Sequence, residues 1–343
     1  MKLFLIILVS LAMLTLCTSK PTVPEDDSEL NVTEEEVTPF IHQTGDSLPV
    51  TSFKEIWGYV IAGQEAALRR ELPITDVGYF GAEVDIYGVL SKVPNRQALG
   101  AFNGRVHLTV TCGNYALTYF VLLPGSPQRA KLISDLIAAT RNFDGLNIDF
   151  ENIPPRSGEA FLSFLKELKE GLPQDKIFSV CLYARHRTLT NDVYCYEKVT
   201  PLADKIFVMA YDEHWGGGPA GPVASLRFSR SVANYSMRIV GSEKLVMGIP
   251  FYGRAWASAN HHRALIYSTT ERLINTHNAA VRRENGIPTF DYKATVDVKV
   301  YFEDEYSVSS RMEMYKSMGI NAIGFWRIGQ ETPKVWDLMR IEQ

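Results

Sequence analysis

Cysteine is scarce, with four residues in a chain of 343. Once Cys17 is set aside with the N-terminal segment, Cys112, Cys181 and Cys195 remain, an odd number whose spacing fits neither a zinc site nor a disulfide framework. Cys181 and Cys195 are free to pair in an oxidising compartment, and buried free thiols are the other reading. The seven histidines have no metal-ligand spacing either, since His261-His262 is a lone pair. No metal and no other cofactor is expected. Clusters of Lys and Arg are missing and the net charge is -4, which excludes a general affinity for nucleic acid or anionic membrane. No Gly-rich phosphate loop follows the first strand-like run, so a nucleotide-binding open sheet lacks its signature.

Long apolar runs are confined to one place. Lys2 precedes "LFLIILVSLAMLTL", the length of a signal-peptide core and short for a spanning helix. Residues 1–17 therefore read as an export signal. "LTLC" ending at Cys17 resembles a lipoprotein cleavage site, although Leu16 is large for the position before the cysteine. An ordinary signal peptide with a chance cysteine is the alternative. A lipidated Cys17 would be the one route to membrane attachment. Residues 18–50 are acidic, and no Lys or Arg falls between Pro21 and Phe53. That composition has too little apolar surface to fold alone and reads as a flexible linker.

From residue 51 to 343 the pattern changes. Eight β-like runs begin at "EIWGYV" (55–60) and continue through "ITDVGYF", "VHLTV", "GLNIDF", "IFSVCLY", "KIFVMAY" and "KLVMGIPF" to "INAIGFW" (320–326). Amphipathic segments separate most of them. "SGEAFLSFLKELKEG" is the clearest, with Ser157 placed to cap it, Phe161, Leu165 and Leu168 at helical spacing, and Gly171 and Pro173 to end it. Alternation of this kind predicts an α/β fold of parallel β/α units, and a closed (β/α)8 TIM barrel is the simplest arrangement. The gap from 252 to 319 is too long for a plain connection and predicts a small insertion between strands seven and eight.

One strand is chemically odd. In "FDGLNIDFE", residues 143–151, Leu146, Ile148 and Phe150 share one face, while Asn147, Asp149 and Glu151 share the other. Uncompensated polar groups in an interior cost several kcal/mol each, about 2–7. In a barrel this polar face points into the lumen and climbs to the C-terminal rim, where active sites form. Residues two apart on one face are about 6–7 Å apart, so Asp149 and Glu151 disturb each other's ionisation and one of them tends to keep a proton. An internal ion-pair network is the duller competitor, and the strand carries no Lys or Arg to complete one.

"FDGLNIDFE" resembles the D-G-x-D-x-D-x-E signature of glycoside hydrolase family 18, the chitinase-like TIM barrels, with Asn147 in place of the second Asp. Three further segments resemble that family in order. They are "MAYDEHWGGGPAGPVAS" (209–225), "LVMGIPFYGRAW" (245–256) and the closing "VYFEDEYSVSSRMEMYKSMGINAIGFWRIGQETPKVW". The later ones look closest to the branch of spore-cortex and peptidoglycan N-acetylglucosaminidases. "VTCGNY" departs from the usual S-x-G-G of strand three. The resemblance covers about residues 55–343.

That resemblance implies a retaining hydrolase of β-1,4-linked glycans containing N-acetylglucosamine, peptidoglycan first and chitin-type oligosaccharides second. It implies substrate-assisted chemistry, in which the sugar's own acetamido oxygen is the nucleophile. Glu151 would then be the acid, with Asp149 orienting the acetamido group, Tyr211 donating to its oxygen and Asp144 supporting Asp149 from below. Asn147, Asp212, Tyr252 and Trp326 would contact the sugar, Trp326 as its floor. A catalytically silent sugar-binding protein on the same barrel is the alternative, and the presence of Glu151 weighs against it. The partner expected is the glycan alone, with the chain acting as a monomer. Glu213, His214 and Gly216–Gly218 read as a rim loop.

Overall fold

The computed structural model describes residues 48–258, 265–284 and 287–342. The apolar N-terminal run with Cys17, most of the acidic segment, and His261-His262 lie outside the described residues. Eight strands form the frame: β1 (Glu55–Ile61), β2 (Asp76–Val84), β3 (Arg105–Cys112), β4 (Gly145–Asp149), β5 (Ile177–Tyr183), β6 (Lys205–Met209), β7 (Leu245–Pro250) and β8 (Ala322–Trp326). Each pairs in parallel with the next, and β8 pairs with β1 in register Ala322 to Glu55, so the sheet closes. This is the TIM barrel that the sequence pattern predicts, strand for strand.

The helical layer is thinner than a full ring. Helices α1 (Tyr115–Leu122) and α2 (Pro127–Thr140) follow β3, α3 (Gly158–Gly171) follows β4, and α4 (Leu226–Ile239) follows β6. Only a 3-10 turn, Glu65–Ala67, lies between β1 and β2, and β5 leads to β6 through short turns at Tyr196–Val199 and Thr200–Leu202. Helix α3 buries Phe161, Phe164, Leu165 and Leu168, as the periodicity predicts. Ser157 does not cap it with its side chain, because a 3-10 turn, Pro155–Ser157, already leads the chain into the helix.

The insertion is shorter than the 252–319 gap suggests. Strand Arg254–Ala257 pairs antiparallel with Val298–Tyr301, and between them lie α5 (Tyr267–His277) and a small antiparallel pair, Arg282–Glu284 with Ile287–Thr289. Helix α6 (Glu305–Ser317), also inside the gap, belongs to the barrel and precedes β8. Asp304 and Ser307 cap it reciprocally. Short strands Thr51–Phe53 and Met339–Ile341 pair in parallel and tie the two ends of the described domain together.

Alternation along the strands builds two apolar compartments. Leu146, Ile148 and Phe150 face outward, where Phe150 stacks on Phe164 of α3 with ring centroids 5.7 Å apart. A second, smaller cluster of Trp57, Tyr59, Cys181, Phe207, Met209, Val246 and Ala322 fills the lumen. The ion-pair network considered for the polar row does exist, but at the N-terminal end of the lumen and on other strands. Arg105 holds Asp76 bidentately at 2.7 and 2.8 Å, and His107 Nε2 lies 2.8 Å from the same carboxylate. Burial opposes the Asp76 charge, yet the bonds from His107 and Arg105 outweigh it and hold the carboxyl below its usual range.

Gly145 opens β4 over this network. A Cβ there would sit 2.3 Å from His107 Nδ1 and 2.4 Å from the backbone oxygen of Ile177. Since backbone cannot yield as a side chain does, Gly145→Ala should destabilise the domain by about 1–3 kcal/mol through overpacking. Urea unfolding at unchanged slope measures it, and an unshifted midpoint would refute this account of the glycine.

Candidate active site

Strand β4 delivers its polar face as the period of two requires, and each of the three side chains meets a different environment. Asn147 is fully buried (0% exposed) and hydrogen-bonded on both sides of its amide. Its Oδ1 accepts from Tyr59 Oη at 3.0 Å and Thr109 Oγ1 at 3.2 Å, while Nδ2 donates to Ser179 Oγ at 2.9 Å. Asn147 does not line the cavity above it. This corrects its assignment as a sugar contact: it is the beam beneath Asp149, saturated by protein.

Asp149 stands on that layer at 5% exposure, and its Oδ1 has no hydrogen-bond partner. Burial, with the nearby Glu151 charge adding to it, pushes its carboxyl up to about 8. A neutral acid is therefore the resting form of this group near pH 7. Glu151, two residues past the strand, is exposed at the rim. The Tyr183 hydroxyl lies 3.0 Å from its Oε2 and 2.8 Å from its main-chain oxygen. One phenolic proton serves either acceptor, so Tyr183 steadies the carboxyl without fixing its charge.

Asp144 is elsewhere. It precedes the N-terminal end of β4, where its Oδ2 accepts from Arg96 Nη2 and from the Val106 N–H, each at 2.8 Å. Those bonds hold its carboxyl below the usual range despite partial burial. Five residues of strand separate it from Asp149, about 16 Å at the usual rise. Its even number also puts it on the face of Leu146 and Ile148. Asp144 therefore cannot support Asp149 from below; it fastens the strand's entrance to β3 and the Arg96 turn.

The opposite wall comes from β6, β7 and β8. Tyr211, past the end of β6, packs edge-on to Tyr252 at 6.2 Å between ring centroids. Gly248 makes room for it, because a Cβ there would lie 3.0 Å from Tyr211 Cε1. Asp212 takes a left-handed backbone conformation (φ 58°), which Asp tolerates better than most residues. Its Oδ1 accepts from Tyr252 Oη at 2.6 Å and from Arg254 Nη2 at 2.5 Å. Asp212 and Tyr252 are thus joined to each other and to Arg254, a residue of the segment "LVMGIPFYGRAW" that was not among the expected site residues. Trp326 ends β8 half-buried, 5.5 Å from the Tyr59 ring and 5.0 Å from Phe80.

These walls enclose a cavity of about 410 Å³ at the C-terminal rim, lined by Asp149, Glu151, Tyr211, Asp212, Tyr252 and Trp326 among others. The structure brings together six of the eight candidate residues and leaves Asp144 and Asn147 outside. It adds Tyr59, Cys181 and Tyr183 to the lining. Strand parity could have found those three, since each occupies a lumen-facing position of β1 or β5. His214 and Glu213 are structural. His214 Nδ1 lies 3.0 Å from Pro222 O, and Glu213 accepts from Ser225 N–H at 2.7 Å. Cys181 and Cys195 are free thiols, one in the lumen and one beside Glu197. Among the described residues no group of His, Cys, Asp and Glu is arranged to hold a metal ion.

Residues 93–331 match the family described as Glycosyl hydrolases family 18. The chain belongs to that family. The matched span contains every cavity residue named except Tyr59. A Bacillus anthracis protein called cortical fragment-lytic enzyme is 26% identical over 292 residues, covering 78% of this chain and 67% of its own. The uncharacterized glycosylase YvbX of Bacillus subtilis (strain 168) is 29% identical over 218 residues, and the chain spans 62% of its length. Among solved structures, the Bacillus cereus spore cortex-lytic enzyme SleL superposes with a TM-score of 0.68 at 23% identity, over 85% of this chain and 76% of that one. That superposition supports the fold.

Proposed function

We propose that this barrel is an exported, retaining hydrolase of β-1,4-linked glycans containing N-acetylglucosamine, with peptidoglycan as the preferred polymer and chitin-type oligosaccharides second. One observation carries the mechanism. Among the described residues the cavity has three carboxyls, and the third, Asp212, is held by Arg254 and Tyr252. That leaves the Asp149–Glu151 pair without a free carboxylate facing it to act as nucleophile. A site of this kind suits a substrate that brings its own nucleophile, the 2-acetamido oxygen. The cortex-lytic relatives favour peptidoglycan, and the apolar run ahead of residue 17 favours export.

In this reading Glu151 protonates the leaving glycosidic oxygen and later activates water. At rest the pair holds one proton, on Asp149. Covering Glu151 with sugar desolvates it and favours transfer of that proton to the rim. Asp149, then ionised, accepts the acetamido N–H as the ring closes, and Tyr211 donates to the acetamido oxygen. Burial pushes the Tyr211 phenol well up, so it stays a donor. Trp326 supplies the apolar floor. Tyr183→Phe removes one hydrogen bond to the acid and should lower kcat about tenfold with little change in KM. Steady-state kinetics on a chromogenic N-acetylglucosaminide oligomer test this, and an unchanged kcat would reduce Tyr183 to packing.

The polymer is tested by mass spectrometry of products from purified cortex-type peptidoglycan and chitin oligomers, run side by side. Cleavage at N-acetylglucosamine with peptidoglycan faster is the expected result. Binding to both without any product would turn the reading to the sugar-binding alternative.

A further inference from the structure

The lumen holds one reactive side chain that the mechanism above does not use. Cys181, on the inner face of β5, is buried yet lines the cavity beside Asp149. Its Sγ lies 3.2 Å from Tyr59 Oη and 3.5 Å from Asn147 Oδ1. Resting on the reading of the site as glycosidic, we propose that Cys181 is a positioning residue whose single S–H is the adjustable hydrogen-bond donor beneath Asp149.

The argument is a count of protons and lone pairs. An amide oxygen accepts two strong hydrogen bonds, and Asn147 Oδ1 already takes them from Tyr59 Oη and Thr109 Oγ1. The Asn147 amide is committed on its other side to Ser179. The thiol reaches Asn147 Oδ1 as well, at 3.5 Å, but as a third and longer bond to an oxygen already doubly engaged, so the Tyr59 oxygen and the Asp149 carboxyl are the acceptors that compete for its proton. Asp149 Oδ1 is buried without a fixed partner, so the floor offers it no other ready donor. Burial pushes the Cys181 thiol well up, which keeps it a donor and not a thiolate.

The groups facing this pair are Tyr59 from β1, Glu151 past β4, Tyr183 from β5 and Tyr211 past β6, with Tyr194 and Tyr252 beyond them. All are acids, and the two cations that approach them, Arg254 over Tyr252 and Arg185 over Tyr183, are taken by Asp212 and Asp192. No cation in this set can answer a change of charge on Asp149. A thiol is a weak donor with two nearly equivalent places to go. It can follow Asp149 through the reaction, bonding to Tyr59 while Asp149 is neutral and to the carboxylate once the proton has left. A stronger donor would hold Asp149 ionised, and no donor would hold it neutral.

Cys181→Ser and Cys181→Ala in the full chain should therefore act in opposite directions. The serine hydroxyl should move the alkaline limb of the pH–rate profile to lower pH, and alanine should move it to higher pH, each by about half a unit or more, the worth of one net hydrogen bond. Equal losses of rate at every pH, or shifts of the same sign, would overturn the proposal. A second measurement needs no turnover. The S–H stretching band of Cys181, isolated by subtracting the Cys181→Ser spectrum, should move to lower frequency as Asp149 ionises and should not move in Asp149→Asn. A band indifferent to pH in the wild-type chain overturns the proposal. This titration decides it even if no glycan is hydrolysed, or if the alanine variant does not fold.

Discussion

Replacing Glu151 by glutamine should lower turnover at least ~10²-fold while leaving the barrel and its affinity for glycan in place. The amide keeps the shape and length of the side chain and can still accept from Tyr183, which lies 3.0 Å from Oε2. It cannot donate a proton to a leaving oxygen. Because Glu151 is exposed at the rim, the substitution should change stability by no more than about 0.5 kcal/mol. Rate, thermal midpoint and oligomer binding measured on one preparation separate these effects. Turnover near wild type would sink the assignment of Glu151 as the acid.

Asp149→Asn should be nearly as damaging, and it should carry a signature in pH. In the wild-type chain the two carboxyls titrate together, and the negative charge of one raises the proton affinity of the other. With asparagine that charge is gone. Glu151 then loses its proton at lower pH, so residual activity should be confined to a more acidic range. Stability gives an independent check. Asp149 is held up to about 8 in the folded chain, against about 3.9 when unfolded. Between those values the folded state binds the extra proton, so wild-type stability falls as pH rises through that window. Asparagine mimics the neutral acid, so the variant should lose this decline and be relatively more stable at pH 8. Parallel stability curves for the two proteins would mean that Asp149 is not the group that titrates.

Much of this molecule is legible from period alone. The eight strands fall where alternating runs place them, because parallel strands buried on both faces leave long β-branched and aromatic stretches. Leu146 and Phe150 outward, with Asn147 and Asp149 inward, follow from the same rule. Asp144 has the parity of Leu146, so the support for Asp149 that the family resemblance implies does not follow from the strand's period. Asn147 has the right parity but the wrong depth, and depth depends on how the neighbouring strands stagger. Its partners Tyr59, Thr109 and Ser179 come from three other strands, and no spacing within β4 reveals them. The Asp212–Arg254 pair spans 42 residues and two strands. The insertion is smaller than the 252–319 gap because the cap that restarts the barrel, Asp304 with Ser307, lies inside a stretch with little periodicity.

The mechanism turns on whether the sugar supplies the nucleophile. Hydrolysis of matched oligomers, one N-acetylated and one de-acetylated at the reacting sugar, addresses this directly, with a cyclic thiazoline titrated against the first. If the acetamido oxygen attacks, its removal takes away a positioned intramolecular group worth up to about 7–11 kcal/mol of the barrier. The loss should appear in kcat far more than in binding. The thiazoline should inhibit more tightly than substrate binds, being nearer the transition state. Cleavage of the N-acetylated oligomer only, with tight thiazoline inhibition, is the result this account requires. Comparable rates on both oligomers without thiazoline inhibition would contradict it, even with Glu151 essential, and would place a carboxylate nucleophile on the rim.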